Sequence, residues 1–318
     1  MKALQLARQY WEETAEPALM QSYPMLLPKV AAGLAGNGSE CFGYDDEQSM
    51  DHDWGVDFFL WVRQSEKEII PVLQHWKREL FAQHPPAYQR TRSSYGGLVD
   101  VMSIDDFYAS MIGCTAVPDD LLSWTRAPES QYALATNGAV FWDGAGDFTA
   151  IRQGLLDYYP EDLRRKKIAA RCMAIAQLGQ YNFQRMVARG DWVTVHTVLD
   201  RFMREAIGLT YHLNRTYRPY YKWTWRRMHE LPVLGCEIAE RLLRMTMIEL
   251  RDEPAVRETQ LLIDEICRQL GGELHRQALS DYTGSFFAGH GEAVQRTIQD
   301  ERLRRLPPQY DPAPMDSL

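Results

Sequence analysis

At 318 residues, with 45% hydrophobic and 25% charged side chains, the chain is long enough for two buried cores, and its composition excludes a disordered or fibrous protein. A formal charge of -8 argues against a tRNA or DNA partner, which clustered Lys and Arg would serve. The five cysteines are scattered without a Cys-x-x-Cys pair, and the chain has no apolar leader and no long uncharged apolar run, which reads as a reducing, cytoplasmic compartment away from membranes.

Taken in order, Leu4, Leu6, Ala7, Tyr10 and Trp11 predict a helix over 2–13, and Glu16-Pro17 opens a second. Val30 to Ala35 predicts a buried strand ending in a glycine turn, and Gly55 to Val62 a second strand after a polar loop. Ser65-Glu66-Lys67-Glu68 has the capping-box pattern for a helix toward Gln83, with Pro71 drawing its start inward. After Gly96-Gly97, the run Leu98-Val99-Asp100-Val101-Met102 predicts a third strand with a carboxylate embedded in it, and Asp105-Asp106 starts another helix. Short helices around Leu121 and Gln131 and a strand at Gly138 to Trp142 complete a mixed domain over 1–148.

From 149 to 306 the pattern is helical, with breaks expected at Pro160, Gly190-Asp191, Pro219, Pro232, Pro254 and Gly271-Gly272. The helix from Asp191 is clearest, because Val195, Val198, Leu199, Phe202, Ala206, Leu209 and Leu213 form one apolar stripe. The fold class is therefore α+β: a mixed sheet with flanking helices, then an all-α bundle. The proline-rich stretch 307–318 reads as a flexible tail, and Arg164-Arg165-Lys166-Lys167 as a solvated helix face.

The chemistry-bearing stretch is Gly36-Asn37-Gly38-Ser39-Glu40, followed by Asp51-His52-Asp53-Trp54-Gly55. Gly38 allows close approach of backbone to a phosphate, and Ser39 offers a hydroxyl and an amide. Asp51 and Asp53, two apart at a strand entrance, would point to one face about 7 Å apart, and Asp100 on a neighbouring strand could join them around Mg2+. Each piece has a plain structural alternative: a turn for Gly38-Ser39, a strand cap for the acid pair, and an ion pair with Arg90 or Arg92 for Asp100. Gly55 and Asp57 interrupt the strand after Trp54, so Asp57 is a reserve ligand.

Gly38-Ser39, an eleven-residue spacer, Asp51-x-Asp53 and the later Asp100 resemble the signature of the nucleotidyltransferase superfamily that includes DNA polymerase beta and the kanamycin and lincosamide nucleotidyltransferases. The longer pattern Gly38-Ser39-Glu40, Gly43-Tyr44-Asp45 and Asp51-His52-Asp53-Trp54-Gly55 is similar to a bacterial domain family of unknown function within that superfamily. The resemblance implies two Mg2+ ions held by Asp51, Asp53 and Asp100, with Gly38 and Ser39 on the triphosphate of ATP or another nucleotide. It implies transfer of a nucleoside monophosphate to a hydroxyl of a small molecule. His52 and Trp54 depart from the aliphatic residues common at those positions.

In the helical half, the crowded segment Tyr211 to Trp223 is similar to the substrate-side helices of antibiotic nucleotidyltransferases, which lie over the catalytic sheet. On that resemblance Lys222 is a candidate phosphate contact, with Asn214 and Tyr221 beside it, although aromatic packing accounts for such a segment equally well. Glu205 is a general-base candidate whose alternative is a solvated flank. Two other functions remain open from the residues: a metal-dependent phosphohydrolase using His52-Asp53, and a non-catalytic nucleotide-binding or antitoxin-like module.

Overall fold

A computed structural model describes residues 2–51, 54–90 and 100–313, Asp51 by its backbone alone. His52, Asp53, Arg92, Gly96-Gly97 and Leu98-Val99 therefore lie outside the described residues. The chain divides into two compact units, Met1–Asp157 and Tyr158–Leu318. The first is α+β and the second is helical throughout its described elements.

The first unit begins with α1 (Ala3–Tyr10), which runs through a π-helical turn (Trp11–Ala15) directly into α2 (Glu16–Ser22). Pro17 stands in the first turn of α2, and its missing N–H removes one rung from the continuous ladder just after the π-helical turn. Strands β1 (Val30–Leu34), β2 (Phe59–Val62), β3 (Val101–Ser103) and β4 (Ala139–Asp143) form a sheet of order β3-β2-β1-β4. β1 is antiparallel to β2 and β4, whereas β2 and β3 are parallel.

Both faces of the sheet are covered. Val30, Ala32, Leu60, Val62 and Val101 pack with Trp11, Leu19 and with Leu73, Trp76 and Leu80 of α3 (Ile70–Gln83). On the other face Trp61 stacks on Phe148 at 3.9 Å, and Phe59 and Trp61 meet Phe107 edge-on at 5.7 and 5.3 Å. Phe107 belongs to α4 (Ile104–Ile112) and Phe148 to α6 (Asp147–Leu156), with α5 (Glu129–Thr136) between them in sequence. Each fully buried Phe or Leu adds about 1.5–3 kcal/mol to folding. The stacking of Phe148 ties α6 to the sheet.

Strand β2 starts four residues later than the sequence predicts. Val56 pairs instead with Gln89 in an isolated parallel bridge, which draws the segment before Phe59 away from β1. The strand spacing expected at Asp51 does not hold either, because its backbone closes a 3-10 turn over Glu47–Asp51. Asp100 stands just before β3 and joins the sheet through its carbonyl, which accepts from Leu60 N at 3.2 Å.

In the second unit α7 (Glu161–Ile175) continues through a π-helical stretch (Ala176–Asn182) into α8 (Phe183–Ala188). The long α9 (Trp192–Leu213) is capped by Asp191, whose carboxylate accepts from Thr194 N at 3.1 Å. All seven stripe residues from Val195 to Leu213 are buried. Then come α10 (Tyr221–Met228), α11 (Gly235–Thr246), α12 (Glu253–Arg276), α13 (Ala288–Arg296) and α14 (Glu301–Arg305). Gly271-Gly272 does not break α12. The bare Gly271 backbone lets the His290 ring of α13 come so close that a Cβ there would lie 2.8 Å from Nε2.

The basic run on α7 is not a solvated face. Lys166 is fully buried, and Arg164 and Lys167 are each 2% exposed. Their charges are met by groups far away in sequence, Gln277, Gln295 and Asp311 among them. From Pro307 to Asp311 the stretch read as a tail supplies several of those acceptors.

Candidate functional site

The sheet order brings three loops to one edge. β1 ends there and passes into Gly36–Ser39, the chain before β2 arrives there, and Asp100 enters β3 there. The glycine loop is held from β4's approach. Asn137 Oδ1 accepts from Gly36 N and its Nδ2 donates to Gly36 O, both at 2.8 Å, and Gly138 N donates to Cys41 O at 2.7 Å.

Gly38 has φ of +123°, and a Cβ there would collide with the Glu40 carboxylate. Its glycine is thus required by the turn itself, independently of any phosphate. Ser39 starts a 3-10 turn over Glu40–Phe42, where its carbonyl accepts from Phe42 and Tyr44 N–H groups while its hydroxyl makes no cap.

Buried charges frame the loop. Glu40 is 1% exposed, and Arg90 Nη1 donates to its Oε1 at 2.6 Å. Burial raises the Glu40 carboxyl above its ordinary value, and the Arg90 charge opposes that rise. Asp45 accepts at Oδ2 from Ala3 N (2.8 Å) and from the Trp54 indole N–H (3.0 Å). It thereby caps α1 and fixes the residue that follows Asp53 in the chain. Gly55, at φ +127°, passes so close to the Tyr88–Arg90 backbone that a Cβ would sit 2.8 Å from Arg90 N. The motif residues 40, 45, 54 and 55 are thus each tied to α1 or to the Tyr88–Arg90 segment.

Asp57, the reserve ligand, pairs with the buried Lys77 at 2.8 Å, and Lys77 also donates to Phe58 O at 2.6 Å. That engagement makes a metal-ligand role for Asp57 costly, since it would strand a buried ammonium. Asp100 is different. Its Oδ1 accepts from Val101 N at 2.8 Å, and among the described residues no cation pairs with it. Arg90, one of its expected partners, is engaged by Glu40 instead. A cavity of about 410 Å³ opens beside it, lined by Asp57, Lys77, Arg78, Gln89, Arg90 and Asp100 among others.

The oxygen chemistry of Asp100 fits a hard divalent cation. Among the described residues no three His, Cys, Asp or Glu side chains gather as a metal site; the side chains of Asp51 and Asp53 lie outside that set.

The other expected residues belong to the second unit. Tyr221 and Lys222 are exposed in the first turn of α10. Asn214 donates to Thr210 O and Val233 O and accepts from Val233 N, at 2.8–2.9 Å, so its amide clamps the turn after α9. Glu205 pairs with Arg171 at 2.8 Å.

Sequence reasoning missed Asn137 and Lys77, and it offered Arg90 to Asp100 rather than to Glu40. Lys77 carries a signal, since it shares the i, i+3, i+4, i+7 stripe of Leu73, Trp76 and Leu80, where a lysine must be paired. Arg90 and Asn137 act across 50 and 101 residues of chain, and no local pattern marks them.

Residues 124–224 match the model of a domain of unknown function (DUF4037). The match takes in Asn137 and β4 of the first unit and α7 to the first turn of α10 in the second, and it excludes Gly38, Ser39, Asp51, Asp53 and Asp100. No curated protein and no solved structure matches the chain. Among the described residues no helix is long and apolar enough to cross a membrane.

Proposed function

We propose that the chain is a Mg2+-dependent nucleotidyltransferase that moves a nucleoside monophosphate, AMP from ATP, onto a hydroxyl of a small molecule. The acceptor oxygen would attack the α-phosphorus, the bond to the β-phosphate oxygen would break, and pyrophosphate would leave while the hydroxyl proton passes to solvent. The observation that carries this reading is the shared sheet edge, where the Gly36–Ser39 loop, the approach to β2 and Asp100 meet.

In this reading Gly38 and Ser39 meet the triphosphate, and Asp51, Asp53 and Asp100 hold two Mg2+ ions. Bound Mg2+ would neutralise phosphate charge and lower the pKa of the acceptor hydroxyl. Asp100 suits its role because one carboxylate oxygen is fixed by Val101 N–H and no cation competes for it among the described residues. The Ser39 hydroxyl is likewise not used in capping its own turn. We assign the acceptor to the cavity beside Asp100, which offers the Arg78 and Gln89 side chains for recognition. Within the second unit Tyr221 and Lys222 are exposed, and Asn214 supports the turn that precedes them.

Mass spectrometry tests this directly. Protein, Mg2+ and each nucleoside triphosphate are incubated with a library of small hydroxyl compounds, and products heavier by one nucleoside monophosphate are sought. Such products from the wild type, and none from Asp51→Ala or Asp53→Ala, support the reading. Release of phosphate from phosphomonoesters with no nucleotide added to any compound would replace it with a phosphohydrolase.

A further inference from the structure

The cavity beside Asp100 is walled in part by one face of α3. Gln74, Lys77, Arg78 and Phe81 line it at positions i, i+3, i+4 and i+7. Its walls are tied together without any ligand. Val56 bridges to Gln89, with Val56 N donating to Tyr88 O at 2.6 Å and Val56 O accepting from Arg90 N at 3.4 Å. Lys77 joins α3 to the chain before β2 through Asp57 and Phe58 O. Walls already ordered cost little to organise when a ligand arrives.

The charges lining the cavity are mostly spoken for. Lys77 is met by Asp57 at 2.8 Å, and Arg90 by Glu40 at 2.6 Å. Arg78 and Asp100 are left, one of each sign, and among the described residues neither has an ion pair. Arg78 is exposed, and the side-chain amides of Gln74 and Gln89 have no hydrogen bond among the described residues. Val56 and the half-buried Phe81 ring add apolar surface.

With Asp100 given to Mg2+, the spare charge in the wall is a single guanidinium, and a single negative charge balances it. A phosphoryl group brings up to two charges, and its second would stand against Asp57 and Asp100 in the same wall. A carboxylate brings one, and its two oxygens match the guanidinium fork with parallel hydrogen bonds.

We propose that this cavity binds the carboxylate of a small hydroxy acid, with Arg78 as the specificity residue, the Gln74 and Gln89 amides as further donors and the Phe81 ring against the carbon skeleton. That the acid is the acceptor, its hydroxyl directed to Asp100, rests on the nucleotidyl-transfer reading; the carboxylate site itself does not.

The test uses the full chain with Mg2+ and no nucleotide, so that the cavity is read apart from the reaction. Ligand-observed NMR titrations compare mandelate and para-hydroxyphenylacetate with their carboxamides, which keep the shape and lose the charge. At least one acid should bind about tenfold more tightly than its amide. Arg78→Gln, a change on an exposed helix face that leaves the fold intact, should bring the two within about twofold. Equal binding of acid and amide by the wild type, or a preference that survives Arg78→Gln, overturns the proposal. Adding ATP separates the two readings. Transfer to the amides as readily as to the acids would keep the reaction and overturn the carboxylate site, whereas Arg78-dependent acid binding with no nucleotide transferred would keep the site and remove the reaction.

Discussion

The two units handle buried charge in opposite ways. In the first, each buried cation near the sheet edge is matched by its own acid, Arg90 by Glu40 and Lys77 by Asp57, and Asp100 remains unmatched by any cation among the described residues. In the second, Lys166, Lys167 and Arg171 gather on one helix and are met by carbonyls, an amide, Glu205 and a carboxylate from a distant strap. Under the proposed function, that carboxylate at the sheet edge is the one that meets Mg2+. The helix shares its cations over one network of acceptors drawn from distant parts of the unit.

The contrast can be broken at its strongest point first. Arg90→Ala leaves the Glu40 carboxylate buried and unpaired, and should cost about 3–5 kcal/mol in urea unfolding. A cost under about 1 kcal/mol would mean the pair is not what frames the loop. Gly55→Ala comes next, with about 1–3 kcal/mol expected for a side chain forced into positive φ, and more if the Arg90 backbone cannot move. A neutral result in the same assay would contradict the close approach at that residue. Asn137→Ala removes both hydrogen bonds to Gly36 and should cost about 2 kcal/mol, weakening ATP binding with it; retained affinity would separate the loop's clamp from its function.

The smallest effect at neutral pH concerns His290 in the second unit. Burial first, and the neighbouring His275 second, lower its pKa from 6.5 to about 4. The ring is neutral in the fold, so its contribution is present above the unfolded value of 6.5 and is lost as pH falls through about 4. His212, buried among Lys167, Arg171 and Arg218, is lowered as well and acts in the same direction. Between pH 7 and pH 4 the melting temperature of the wild type should fall more than that of His290→Gln. Parallel curves for the two proteins would show that this ring does not titrate in the window.

Much of this molecule is legible from local pattern alone. The α9 stripe, its start at Asp191 and the helix start at Asp105-Asp106, which the structure places in the first turn of α4, follow from spacing and capping chemistry, which act within a few residues. The shift of the helix start toward Pro71 is readable for the same reason. What failed was long-range. Gly271-Gly272 reads as a break until His290 packs over it, and the run from Arg164 to Lys167 reads as solvated until Gln295, Pro307 and Asp311 cover it. A periodicity clue was available there too, because Leu163, Lys166, Lys167 and Ala170 share one helical face and all are buried. At the candidate site, Glu40, Asp45 and Gly55 stood in the motif, yet their contacts run to Arg90, Ala3 and the Tyr88–Arg90 backbone, which spacing does not reveal.

The central claim is that Asp100 is held ready for a metal-bound nucleotide. Calorimetric titration of ATP into the wild type and Asp100→Asn, each with Mg2+ and with EDTA, tests it most directly. Binding by the wild type should require Mg2+ and should weaken at least about a hundredfold in Asp100→Asn, more than removal of an outer-sphere partner costs, with the melting temperature unchanged. ATP binding that is indifferent both to chelation and to Asp100→Asn would contradict the account.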